Sequence, residues 1–367
     1  MHKKRKEEVD KMKTKREFQA ISKALLFLGC IITLGFFLVS ASEAAGVFEL
    51  RGGTTGALTH PYARGGEVFL KILEAKSGGK ITGRWYHSGQ VGGEMDVLNQ
   101  LNNNTLQFGT ISCAIMGTLN PKVMTMYSPF LIKDWDTFTN KWVGSEGANL
   151  ILGSLKDNGL LGLGWIPYGF NALAYRDPAI RTLEDCKGRK IRAAQAYTIK
   201  GTLEALGMNA PPLPFTEVFQ SIQQGVIDGL STPPGIMVAN RLQEVVNNIT
   251  LSDHLFGTYI FWMREQTLSS MPADMRTMVI DAAIEACAKQ QKESKDFDDK
   301  AVAFLKTKGV KVWTINQQEK TRWIAATNKV VIDHEQKIDA NSHDGRKFMN
   351  AVYKSLGRDY EKEILNQ

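Results

Sequence analysis

The group in this sequence best suited to hold an anion is a guanidinium at the end of a short motif. Arg192 closes the run Lys187-Gly188-Arg189-Lys190-Ile191-Arg192. Its planar fork matches a carboxylate in two parallel hydrogen bonds, a geometry that lysine does not offer. By residue type alone, pairing with a nearby acid such as Glu184 or Asp185 is the first expectation for it. Recognisable catalytic constellations are missing. There is no GxGxxG opening a helix after a strand, no GxxxxGK[ST], no GxSxG and no HExxH. The histidines are scattered, and solvated or core roles are expected for His60, His87 and His254. Cys113, Cys186 and Cys287 show no metal-ligand spacing and read as small, semi-buried residues. Asp and Glu form no spaced pair that would support acid/base chemistry. The chain therefore reads as a non-enzyme, with no cofactor implied.

The elements that would position Arg192 alternate between strand and helix, the pattern of α/β layers. Phe48 to Arg51 reads as a strand ending in the turn Gly52-Gly53-Thr54-Thr55-Gly56. Pro61 suits the first turn of a helix that Gly78-Gly79 stops. Ile81 to Tyr86 and Leu106 to Cys113 read as strands, with a helix marked by Met95, Leu98 and Leu101 between them. A helix is expected over roughly Asp134 to Asp157. Two strands follow, Leu160 to Trp165 and Phe170 to Tyr175, with a crossover at Pro167-Tyr168-Gly169. A second series then runs as a strand at Lys190 to Ala194, a helix at Thr198 to Leu206, and a strand at Asn209 to Leu213. It ends with a helix at Thr216 to Gln224 and a strand at Val226 to Ser231. Pro272 opens a helical stretch to about Lys308, roughly 55 Å at 1.5 Å per residue. That is long enough to run along two lobes. The fold class expected is a two-lobed α/β protein with discontinuous lobes, joined by hinge crossovers and by this helix. Residues 46–168 and 258–297 would form one lobe, and 169–257 and 298–367 the other.

The chain has 367 residues, of which 43% are hydrophobic and 23% charged, and a formal charge of +7. Residues 1–44 hold nine Lys and Arg against five Asp and Glu, so the rest balances at only +3. That balance, without a basic stripe interleaved with aromatics, argues against nucleic acid as a partner. The basic start ends at Lys23, an apolar run follows from Ala24 to Val39, and small residues occupy Ser40 to Ala45. This is the order of a secretory signal, with cleavage expected after Ala44. An uncleaved anchor is the alternative, although the run is short of the roughly 20 residues of a membrane span. Either reading places the globular part outside the cytoplasmic membrane, in the periplasm.

The segment Thr182 to Arg192 resembles the central motif of the solute-binding proteins of tripartite ATP-independent periplasmic (TRAP) transporters. Further matches follow in order: Phe215-Thr216-Glu217-Val218-Phe219 and Ile222-Gln223-Gln224-Gly225-Val226-Ile227-Asp228-Gly229. Upstream, Ser77 to Ile81, Ser88 to Glu94 and Pro129-Phe130-Leu131 also fit, so the likeness covers roughly Phe48 to Val312. The resemblance implies an interlobe cleft in which Arg192 clamps the carboxylate of a small organic acid. It implies delivery of that acid to TRAP membrane subunits. Phe215 matches a position that packs on the ligand. Thr232 falls where relatives often carry an Asn that bonds the substrate. Thr54 and Thr55 in the first loop, and Ser112 at the end of the third strand, are further expected contacts. Glu217 and Asp228 are expected to serve the fold.

One departure from the pattern narrows the ligand. Sialic-acid-binding relatives carry a second pocket Arg ahead of the central motif. Here Asn171, in Tyr168-Gly169-Phe170-Asn171-Ala172, stands at that place, and Arg176 is expected to point elsewhere. The loss of one guanidinium argues against a sialic-acid-like ligand and weakens the case for a dicarboxylate. Trp165, Tyr168, Phe170 and Phe215 would supply a more apolar wall, suited to a monocarboxylate with an apolar or hydroxylated body.

Overall fold

The computed structural model describes residues 48–366. The expected signal segment and its cleavage site lie outside the described residues. Two mixed five-stranded sheets organise the chain, each flanked by helices.

The first sheet contains β1 (Phe48–Gly53), β2 (Ile81–Tyr86), β3 (Phe108–Ser112) and β4 (Leu160–Phe170), and it is completed by β9 (Phe256–Arg264). Its order is β2-β1-β3-β9-β4. The pairs β1–β2 and β1–β3 are parallel, and β9 runs antiparallel to both β3 and β4. The second sheet contains β5 (Ala172–Tyr175), β6 (Ile191–Arg192), β7 (Gly229–Thr232), β8 (Asn248–Leu251) and β10 (Lys311–Thr314), in the order β10-β8-β5-β7-β6. β5 is antiparallel to β7 and β8, while β6–β7 and β10–β8 are parallel.

Several expected elements differ in detail. The helix expected over Asp134 to Asp157 is broken into a π-helical turn, Thr137–Trp142, and a helix, Glu146–Gly153. Gly144 adopts φ +81° between them, and the Ser145 hydroxyl caps the second piece by accepting from the Ala148 amide. The strand expected to stop at Trp165 continues to Phe170. Register shifts between Gly162 and Gly164, and between Pro167 and Gly169, let it pass Pro167 against β9. The chain thus leaves the first sheet at Asn171 rather than at Pro167-Tyr168-Gly169. The strand expected from Lys190 to Ala194 is reduced to Ile191–Arg192, with single bridges on either side at Lys190–Asn209 and Ala193–Pro212.

Strand β9 was absent from the expected alternation, yet it sits inside the first sheet and is buried along most of its length. Phe261 stacks on Phe108 at 5.5 Å, and Phe69 meets both edge-on. Each such ring contributes about 2 kcal/mol of burial relative to exposure. The long helix spans Ala273–Thr307. It packs on β4 and the Gly65–Ser77 helix beside the first sheet, and on the Pro234–Ala239 helix and β10 beside the second.

Candidate functional site

Arg192 ends β6, in parallel register with Leu230 of β7, and is only 7% exposed. Its Nε donates to the Leu213 carbonyl at 2.8 Å. Among the described residues no carboxylate lies within ion-pair distance of its guanidinium, and none accepts from Nη1 or Nη2. The acids expected to pair with it are engaged elsewhere. Glu184 pairs with Arg322, and Asp185 accepts from the backbone amides of Arg181 and Thr182. Asp228 accepts from the Lys190 amide and lies 3.8 Å from Arg189, a structural role. Burial pulls the Arg192 pKa down to about 10, with Glu94 opposing that shift. Even so lowered, the group stays cationic at neutral pH.

Arg192 lines a pocket between the two sheets. Residues of the first sheet and its loops form one wall: Tyr62, Glu94, Ser112, Tyr127, Tyr168 and Tyr259. Residues of the second sheet form the other: Arg192, Phe215, Ser231, Thr232, Pro233 and Ile236, with Asn171 at the crossover. An adjoining groove shares Glu94, Arg192 and Phe215 and opens past Thr55, Gln195 and Thr216.

Of the residues singled out from the sequence, Arg192, Phe215, Thr232, Asn171 and Ser112 meet at this pocket, and Thr55 lines the outer groove. Thr54 does not reach either. It is fully buried, and its hydroxyl accepts from the Gly56 amide, a turn role that its short side chain favours. Trp165 is also away from the ligand wall. Its ring is buried against Trp142 at 5.6 Å, because strand alternation turns it into the layer beneath the first sheet. Phe170 likewise packs on Phe256 and Trp135. Tyr168 alone of the first-sheet aromatics expected to form the wall lines the pocket. Arg176 borders a separate outer groove with Asp177 and Asp228, as expected.

The residues missed are Glu94, three tyrosines and Ser231. Glu94 opens the Glu94–Asn102 helix, and its Oε2 accepts from the Ser112 hydroxyl at 2.5 Å. Burial raises its pKa, while Ser112, Tyr259 and the Arg192 charge oppose that rise. A helix N-terminus favours its ionised form. Tyr62 stacks on Tyr259 at 4.5 Å, Tyr168 tilts against Tyr259 at 5.0 Å, and the Tyr127 and Tyr168 hydroxyls share a hydrogen bond. Burial raises all four tyrosine pKa values, so they stay neutral. Glu94 stood within the Ser88 to Glu94 segment and was legible there as an acid after Gly92-Gly93. The tyrosines are spread from residue 62 to 259 and had no common signal.

The pocket thus holds a buried cation with an open fork, one carboxylate on the opposite wall, and an aromatic lining. It can bind and orient a small anion. Among the described residues no group of three His, Cys, Asp or Glu side chains is placed to hold a metal, and no helix is long and apolar enough to cross a membrane.

Comparison with known proteins matches residues 52–337 to the family described as bacterial extracellular solute-binding protein, family 7. The chain belongs to this family of solute-binding proteins. Its relatives include the C4-dicarboxylate-binding periplasmic protein DctP of Rhodobacter capsulatus, 25% identical over 77% of this chain and 85% of that protein. A solute-binding protein of Verminephrobacter eiseniae is 25% identical over 74% of this chain and 80% of its own length. Among solved structures, a TRAP periplasmic solute-binding protein from Sulfitobacter with bound β-D-galacturonate is 26% identical, with a TM-score of 0.77. It is covered over 99% of its length by 83% of this chain. The sugar-acid-binding protein of Advenella mimigardefordensis, in complex with galactonate, superposes with a TM-score of 0.79 at 24% identity, over 84% of this chain and 99% of that one. These neighbours share the two-lobed α/β architecture, which in this TRAP solute-binding protein brings Arg192 and Glu94 to opposite walls of one pocket.

Proposed function

We propose that this protein captures a small organic monocarboxylate in the periplasm and delivers it, chemically unchanged, to the membrane subunits of a TRAP transporter. The observation that carries this reading is the buried Arg192 guanidinium, whose Nε donates to the Leu213 carbonyl and which no protein carboxylate meets at ion-pair distance. A buried cation left without a partner is costly, and an anionic ligand removes that cost. The single cation supports one carboxylate. Glu94 on the facing wall would repel a second. The sugar acids bound by the Sulfitobacter and Advenella proteins fit this description, since each carries one carboxylate and several hydroxyls.

The two lobes are inferred to form around the two sheets and to close by hinge motion at the crossovers. In the present arrangement the loops of both sides already meet. A Cβ placed on Gly89 would lie 3.8 Å from Thr216 Cγ2. The test is a thermal-shift screen of organic acids on ligand-stripped protein, followed by calorimetry and by NMR of the recovered ligand. Monocarboxylates should raise the melting temperature and be recovered intact. Turnover of a bound acid, or no response to any carboxylate, would refute the reading.

A further inference from the structure

At Asn171 the chain crosses from the first sheet to the second. The residue is 4% exposed and lines the pocket. Its backbone amide donates to the Leu255 carbonyl at 2.8 Å, which ties it to the return crossover. Its Nδ2 donates to the Ser231 hydroxyl at 2.8 Å. Its Oδ1 is buried and has no partner among the described residues. An amide carbonyl left so in a finished site costs about as much as a lost hydrogen bond. A partner from outside the chain is therefore indicated.

What holds the amide this way round is a relay behind it. The Ser231 hydroxyl lies 3.0 Å from His254 Nε2, and His254 Nδ1 lies 2.8 Å from the Ser252 hydroxyl. His254 is fully buried and neutral, so one ring nitrogen donates and the other accepts. With Nδ1 protonated and facing Ser252, Nε2 takes the single proton of Ser231. The Ser231 oxygen is then left to accept from Asn171 Nδ2. With that tautomer the Oδ1 of Asn171 is the amide atom left without a partner in the chain, available as an acceptor. The opposite tautomer would turn Ser231 into a donor toward Asn171 and present an NH2 group to the ligand instead.

From this geometry we infer that the Asn171 carbonyl, oriented by Ser231 and His254, reads a hydroxyl on the ligand. The inference rests on the carboxylate reading above and narrows it to hydroxy acids. Ser231 and His254 are positioning residues. The position at which an arginine would supply a second cation here supplies an acceptor, so the pocket selects donors on the body of the ligand and not a second anionic group.

The test uses acids matched in carbon number: D- and L-lactate against propionate and pyruvate, and D-galactonate against hexanoate. Their affinities are measured by calorimetry on the stripped protein. The hydroxy acid of at least one set should bind about tenfold more tightly than its deoxy or keto counterpart, the scale of one neutral hydrogen bond in a desolvated site. Asn171→Ala should bring that ratio close to one. Ser231→Ala should lower it too, although Ser231 carries no charge, because the amide is then free to turn. Melting curves establish that each variant is folded, and either variant alone decides the point. Equal binding of hydroxy and deoxy acids, tighter binding of the keto acid, or an unchanged ratio in the folded variants would overturn the inference while leaving the carboxylate reading intact. Failure of every acid to bind the parent protein would overturn both.

Discussion

The guanidinium carbon of Arg192 lies 5.8 Å from the ring centroid of Phe215, while Nε of the same side chain donates to the Leu213 carbonyl at 2.8 Å. Both partners come from the one segment that follows the bridge to Pro212. The arginine is held by its Nε edge and against an aromatic face, so its two Nη groups are presented to the pocket already ordered. Pre-organisation of this kind lowers the entropy cost of gripping a carboxylate.

Arg192→Lys should therefore weaken binding far more than its retained charge suggests. Lysine loses the fork, the Nε bond and the ring contact. A cost of about 3 kcal/mol, near the lower end for a broken buried pair, corresponds to roughly a hundredfold in affinity. Arg176→Lys is the control, since Arg176 borders a separate outer groove, and it should change affinity less than about threefold. Calorimetry on both variants decides it. Unchanged affinity in Arg192→Lys would remove this residue from the site.

Glu94→Gln should relax the choice of ligand rather than abolish binding. The substitution keeps an acceptor for the Ser112 hydroxyl but removes the negative charge facing the pocket. Binding of succinate relative to a monocarboxylate of similar size should rise by at least about tenfold, the effect of removing a like charge a few ångströms away in a poorly solvated site. An unchanged ratio in competition calorimetry would show that Glu94 does not set the charge of the ligand.

Mild acid should destabilise the protein through its buried histidines. His60, His254 and His334 are each fully buried, and burial lowers each pKa from 6.5 to about 3. The unfolded chain then binds more protons than the folded one between those values. The stability these neutral rings allow is present above pH 6.5 and falls by about 1.4 kcal/mol per pH unit per histidine as pH drops toward 3. Urea denaturation at pH 7 and pH 5.5 measures the slope. His60→Phe should reduce it, because that ring already packs edge-on against Phe297 and its Nε2 has no partner.

Asp298 should act with the opposite sign. It sits on the long helix, and its Oδ1 accepts from the Gly235 amide at the start of a pocket-wall helix. Burial raises its pKa to about 7. With the folded value above the unfolded 3.8, its favourable contribution is complete at low pH and is lost as pH rises through about 7. Asp298→Asn preserves an acceptor for Gly235 and removes the titration. The variant should gain stability relative to the parent between pH 5 and pH 8, read as a growing difference in melting temperature. A constant difference would show that Asp298 ionises without penalty.

Local chemistry along the chain determined a good deal. Turn residues such as Gly78-Gly79, Pro61 and Gly309 punctuate the elements because their backbone preferences act over a few residues. The Lys187 to Arg192 motif marked the arginine at a strand end, and Phe215 and Asn171 were legible by their places in ordered motifs. Which partners those residues would meet was a matter of tertiary structure. Glu184 and Asp185 are near Arg192 in the chain, yet strand geometry and Arg322 take them away from it. Tyr168 and Phe170 lie two residues apart on one strand, which alternation alone would put on one face, but with the register shift between Pro167 and Gly169 one ring lines the pocket and the other packs on Phe256. Strand β9 carries Tyr259 from far along the sequence into the middle of the first sheet. The orientation of Asn171 depends on Ser231 and His254, which reach it from other crossovers and strands. A side chain's type and its local backbone are properties of neighbouring residues. The polarity of a pocket is set by contacts between segments tens to hundreds of residues apart, and only folding brings those together.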